Sequence, residues 1–169
     1  MKPDISTLPE HFQNYVNQVE EDDIIKAYEK HSSSNIQFFA GISEQKSTFS
    51  YALGKWTVKE VLQHVIDTER VFCYRALAIA RGEKNLLPGF DENIYASNSH
   101  ANERSWSEIV EEYRTVCSAT RCLIKSFSKE DYVKTGIASN HPISVLAMLF
   151  TIVGHAAHHV KILKERYLM

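Results

Sequence analysis

Residues 57–68, Thr57-Val58-Lys59-Glu60-Val61-Leu62-Gln63-His64-Val65-Ile66-Asp67-Thr68, decide how this chain folds. The first four have the S/T-x-x-E form of a capping box, in which a hydroxyl and a carboxylate satisfy the free N–H groups of a helix start. From there Val58, Val61, Leu62, Val65, Phe72, Ala76, Leu77 and Ala80 recur at helical spacing as far as Arg81, and Gly82 ends the run. A helix this long with one apolar face needs other helices to cover that face.

The flanking sequence supplies them. A second capping box, Ser105-Trp106-Ser107-Glu108, opens a helix through Ile109, Val110, Tyr113, Val116, Cys117, Thr120, Leu123, Ile124 and Phe127, followed by a short turn at Ser128-Lys129-Glu130-Asp131. Pro142 is expected to seed the last long helix, which runs to about Arg166 on Val145, Leu146, Leu149, Ile152, Val153, Val160, Ile162 and Leu163. Upstream, Leu8-Pro9-Glu10 opens a short helix, and a longer one begins near Glu21 to Asp23 and stops at Gly41. Ser43 to Lys55 reads as a loop. Glu83 to Arg104, with Pro88-Gly89 inside it, reads as a long connection of the kind that usually serves function, for example as a lid. No segment alternates in the manner of a strand. The expected fold is all-α: one domain over residues 1–169, a four-helix bundle with a short N-terminal helix and a long central crossover.

Composition agrees. Few breakers (6 Gly, 4 Pro) and 44% hydrophobic residues suit a helical core. A formal charge of -2 offers no broad basic field, so nucleic acid is not the expected partner. The apolar run Ile143 to Ala157 is interrupted by Ser144, Thr151 and His155 and falls short of the ~20 residues of a membrane span, so no membrane is expected. Met1-Lys2-Pro3-Asp4 leads into polar sequence, unlike a signal peptide. Cys73, Cys117 and Cys122 form no C-x-x-C pair and read as small core residues, which points to a reducing compartment and a cytoplasmic setting.

Histidine is the unusual residue, with 8 in 169 positions. His155 and His159 are four apart, so on a helix their side chains rise one above the other from the same face, with roots ~6 Å apart. Two imidazoles so placed can share an ion, as in H-E-x-x-H zinc sites, but Ala156 stands where a zinc protease carries its general base. His158 points about 100° away and is assigned to the surface or to a supporting role. The candidate third ligand is His64, which lies beside Val61, Val65 and Thr68 on a core-facing stripe; His11, His31, His100 and His141 fall in stretches that suit solvent. Three neutral imidazoles would leave coordination positions open for a reactant. The same pair can also be satisfied by hydrogen bonds alone.

These residues resemble a family. Gly54-Lys55-Trp56-Thr57-Val58-Lys59-Glu60, with His64 and Asp67-Thr68-Glu69-Arg70, is similar to the second helix of DinB-like proteins, and Gly154-His155-Ala156-Ala157-His158-His159 to their last helix. Leu87-Pro88-Gly89-Phe90-Asp91-Glu92 with Tyr95 resembles their central crossover. The resemblance implies a four-helix bundle holding one divalent ion, nickel or zinc, through His64, His155 and His159. Its implied activities are metal-dependent hydrolysis of the YfiT type, or S-transfer from a low-molecular-weight thiol such as bacillithiol, mycothiol or glutathione. It also implies a homodimer.

The leading expectation is therefore a thiol S-transferase that acts on a small electrophile. A hydrolase and a non-catalytic metal-binding or ligand-binding bundle are the alternatives. Asp67, one turn from His64, is a candidate to orient an imidazole or take a proton, although a solvated helix carboxylate explains it as well. Asp91 and Glu92 could reach the mouth of the site, and turn chemistry also accounts for both.

Overall fold

The computed structural model describes residues 2–6 and 8–168. Both capping boxes form. The Thr57 hydroxyl accepts the Glu60 N–H and the Glu60 carboxylate accepts the Thr57 N–H, and Ser105 and Glu108 repeat the arrangement. They open the helices Val58–Ala80 and Trp106–Ser126. In chain order the helices are α1 (Glu10–Asn17), α2 (Ile24–Ala40), α3 (Glu44–Ser47), α4 (Val58–Ala80), α5 (Glu92–Asn98), α6 (Trp106–Ser126), α7 (Lys129–Tyr132) and α8 (Val145–Arg166). The four long ones, α2, α4, α6 and α8, make the bundle.

The crossover sets the topology. The Lys59 ammonium, at the start of α4, donates to the Arg104 carbonyl at 2.6 Å, and the Thr57 hydroxyl donates to the Asn102 side-chain carbonyl at 2.8 Å. Residues 81–105 thus return the chain to the end where α4 began, so α6 runs parallel to α4 instead of pairing with it as a hairpin. The crossover, read from sequence as a long connection, carries α5, capped by Asp91, and a 3-10 turn at Ala101–Glu103. A single helical turn, α3, likewise interrupts the expected loop over 43–55.

The larger correction concerns residues 135–144. Thr135–Ala138 and His141–Ser144 form strands β1 and β2, paired antiparallel with Thr135 opposite Ser144 and Ala138 opposite His141. Ser139 and Asn140 both adopt positive φ, 50° and 65°, as the tight primed turns of hairpins require. Pro142 therefore lies in a strand and does not seed the last helix; the Ser144 hydroxyl caps α8 by accepting the Ala147 N–H. Among the cysteines, Cys117 is buried, but Cys122 is exposed and so is not a core residue.

The apolar interior falls into two blocks. One contains Val58, Leu62 and Ile66 of α4 with Ala156, Val160 and Leu163 of α8; the other contains Phe72, Ala76 and Ile79 of α4 with Leu146, Phe150 and Val153 of α8. α4 and α8 are therefore antiparallel, and between the blocks both carry polar residues, Thr68 and Glu69 on α4 and His155 on α8, each 5% exposed or less. α8 has the length and apolarity of a membrane span, yet 72% of its most apolar window is buried inside the bundle. That burial accounts for its composition.

Candidate metal centre

His64 enters the polar layer from α4 and meets His155 and His159 of α8. The His155 Nε2 atom lies 3.0 Å from His64 Nε2 and 3.1 Å from His159 Nε2. All three ligand atoms fall within 4.8 Å of one another. An Nε2 carries either one proton or one lone pair, so His155 Nε2 can make a good hydrogen bond to one of its two neighbours but not to both. Three converging imidazole edges are left with lone pairs aimed at a common point, which suits a cation. Metal–nitrogen bonds of ~2.0–2.1 Å in a tetrahedral site put the nitrogens about 3.3 Å apart, a few tenths of an ångström from the two spacings to His155. The donor set therefore fits a divalent ion, and the three-histidine group could hold one.

Burial keeps the rings neutral and ready to bind. Loss of water lowers the His64 pKa to about 4, with the Glu92 charge pulling weakly the other way. Loss of water and the neighbouring His64 and His158 lower His159 to about 3. His155 is driven well below its ordinary value, again first by burial and then by the other histidines. Aromatic rings enforce this dryness: Trp56 lies 4.9 Å from the His64 ring, and Tyr15 stands edge-on to His155 at 5.4 Å. On its far side, His64 Nδ1 is 3.4 Å from the Thr68 hydroxyl, a partner that can hold the ring in the tautomer leaving Nε2 free.

Asp67 does not join the cluster. Its carboxylate accepts from the Gln63 amide at 3.0 Å and faces Arg70 at 3.6 Å. Four residues on from His64 return to nearly the same direction on a helix and three do not, so Thr68 takes the place beside the imidazole. His158 is half-buried against the Tyr15 ring at 5.3 Å. His11 and His141 are exposed, as expected, yet both line the cavity that opens over the cluster. That cavity, roughly 380 Å³, is walled by Phe12 and Tyr15 of α1, Trp56 just before α4, Phe72 and Arg75 of α4, Phe90 and Glu92 of the crossover, and Ser139 of the hairpin turn. The crossover thus forms a wall of the site, and its Glu92 does reach the mouth.

Gly154 explains how α1 comes to lie over the histidines. A Cβ there would sit 1.9 Å from the Tyr15 carbonyl oxygen, so only glycine lets α1 seat against α8 beside His155. Gly154→Ala should push α1 off the site at an overpacking cost of ~1–3 kcal/mol. For a chain of this size, ~2–4 °C of melting temperature is expected per kcal/mol. A variant that melts with the parent would show that α1 does not depend on this contact.

Inward histidines that meet under an aromatic-walled cavity define a helical bundle with a candidate metal centre. The sequence profile of the DinB superfamily matches residues 27–163, and the chain belongs to that superfamily. Among solved structures it is similar to YfiT from Bacillus subtilis, described as a probable metal-dependent hydrolase with an unusual four-helix bundle topology. The two are 17% identical over 98% of this chain and 90% of that one, with a TM-score of 0.74. It is also similar to a mycothiol-dependent maleylpyruvate isomerase, at 9% identity over 86% of this chain and 61% of that one, with a TM-score of 0.71. No curated protein sequence matches the chain significantly.

Proposed function

We propose that the chain is a metal-dependent enzyme that transfers a low-molecular-weight thiol to a small electrophile. The observation that carries the reading is the convergence of His64, His155 and His159 at the base of a cavity of small-molecule size. A divalent ion held by three neutral ligands keeps its full charge and lowers the pKa of a thiol bound beside it, so that a thiolate exists near neutral pH. The ion is nickel or zinc in this reading.

The chain's own groups supply the rest. Trp56, Tyr15 and Phe72 exclude water around the cluster and offer ring contacts to a polarizable sulfur, which hydroxide would not exploit. Glu92 is exposed at the mouth, and its charge is felt at both His64 and Tyr15. Its carboxylate takes the thiol proton as the thiol enters. The thiolate sulfur then bonds to the electrophilic carbon, whose leaving group departs with the bonding electron pair. The fold shared with a mycothiol-dependent enzyme is consistent with this use. The second reading, hydrolysis with water in place of the thiol, is favoured by the likeness to YfiT.

The test is adduct formation. Metal-loaded protein is incubated with bacillithiol, mycothiol or glutathione and monochlorobimane, and the fluorescent adduct is followed beside a metal-free control. At least one thiol should react much faster than the control, with chloride released in step. Rates equal to the control for every thiol would remove the transferase reading, and release of nitrophenol from a nitrophenyl ester by the same loaded protein would then establish the hydrolase.

A further inference from the structure

Arg75 is a buried cation without an anion. It is only 2% exposed, yet it lines the same cavity as the histidines. Its guanidinium donates one hydrogen bond, to the Pro88 carbonyl at 2.6 Å, and stacks near Phe72 and Phe90 at 5.4 and 5.7 Å from their centroids. Among the described residues it has no carboxylate partner: the one side chain whose charge bears on it is Tyr95, and Glu92 lines the same cavity without pairing to it. A guanidinium carries five N–H donors in a planar fork matched to a carboxylate. No fully buried side-chain nitrogen or oxygen among the described residues lacks a hydrogen-bond partner, so a guanidinium nitrogen of Arg75 without one keeps some exposure, and the residue lines the cavity.

The placement along α4 is regular. His64, Thr68, Phe72 and Arg75 follow one another at spacings of four, four and three, a single stripe of the helix, and all four line the cavity. Side chains lean toward the N-terminal end of their helix, so Arg75 inclines back along the stripe toward His64. The Phe72 ring is close to both chemistries: the His155 ring is 6.2 Å from it and the Arg75 guanidinium 5.4 Å. A small molecule lying against Phe72 can therefore touch both.

We propose that the substrate bound over the histidine cluster carries a carboxylate, and that Arg75 recognises it through its free donors. This rests on the functional reading above, and it adds the chemical class of the substrate. Burying a charge without a partner is costly, and a carboxylate that supplies two charge-assisted hydrogen bonds repays that cost only when bound. Arg75 thereby rejects neutral analogues, because they leave its donors unpaired in a dry site. Fixed at one end by Arg75, the substrate presents its other end to the histidines.

Two matched pairs test the assignment: 3-mercaptopropionate with its methyl ester, and levulinate with its methyl ester. Dissociation constants are measured by NMR titration of the metal-loaded protein and of the chelator-treated protein. In at least one pair the acid should bind at least tenfold more tightly than the ester. Arg75→Met, which keeps a long apolar stem, should reduce that advantage to less than about threefold while leaving ester affinity in place. An advantage confined to the mercapto pair assigns the carboxylate to the thiol, and one in the levulinate pair assigns it to the electrophile. Loss of the metal would weaken both mercapto compounds together, acid and ester alike, so failure of the metal reading is distinguishable. Equal binding of acid and ester in both pairs by the unaltered protein overturns the proposal, as does an advantage that survives in Arg75→Met.

Discussion

His155→Ala should leave the protein without bound metal and without turnover, and should do so more completely than loss of either neighbour. His155 Nε2 is the shared vertex of the cluster, within 3.1 Å of both other Nε2 atoms. Removing it leaves His64 and His159 on separate helices with a gap between them. A structural zinc site is worth ~10–16 kcal/mol over its full ligand set, so one ligand of three or four corresponds to a loss of at least about 10²-fold in affinity. Elemental analysis of the purified variants gives the readout. The parent should carry close to one ion per chain, His155→Ala essentially none, and His158→Ala, whose ring packs on Tyr15 and His159 but adds no nitrogen to the converging set, as much as the parent. Metal retained in His155→Ala would mean that these three residues are not the ligands.

The sequence was most informative where local chemistry decides structure. Thr57 and Ser105 announce their helices because each cap is completed within four residues, and the structure forms both boxes. The meeting of His64 with His155 and His159 was also legible, since an i,i+4 pair and one inward histidine on another long helix leave few other arrangements. The hairpin was not. Its strands are four residues long, its turn is Ser139-Asn140 without glycine, and Pro142 reads more naturally as a helix start. Asp67 was a near miss of one position, because a helix turns through about 100° per residue and Thr68 is the neighbour that comes back into line with His64.

What remained hidden depends on contacts between distant segments. Nothing local marks Gly154 as the seat of α1, because the reason is the Tyr15 carbonyl on a helix near the other end of the chain. Arg75 looks in sequence like any charged residue of a surface helix, and only the packing of Phe72, Phe90 and the Pro88 carbonyl around it makes it a buried one. Its position was nevertheless readable in principle, since the spacing from His64 through Thr68 and Phe72 keeps it on the inward stripe.

The metal-free protein should lose stability steeply as the pH falls from about 6.5 toward 4. Unfolded, each histidine titrates near its ordinary value of ~6.5. Folded, His64 is lowered to about 4 and His159 to about 3, in both cases chiefly because burial penalises the charged ring. Above the unfolded value the rings are neutral in both states, and their contribution to stability is fully present. Below it the unfolded chain takes up protons that the folded chain refuses, so the equilibrium moves toward unfolding by ~1.4 kcal/mol per pH unit for each such ring. His155 shifts in the same direction and steepens the loss. Two units of acidification therefore remove several kcal/mol from a total that is ordinarily ~5–15 kcal/mol. Denaturant midpoints measured at half-unit intervals should fall accordingly. His159→Leu should flatten the profile by about one proton, and a bound ion, which competes with protons for the same nitrogens, should carry the onset to lower pH. Midpoints that stay level between pH 6.5 and 4 in the metal-free protein would mean that the imidazoles are hydrated and already charged in the fold, which is incompatible with a dry centre built to receive a cation.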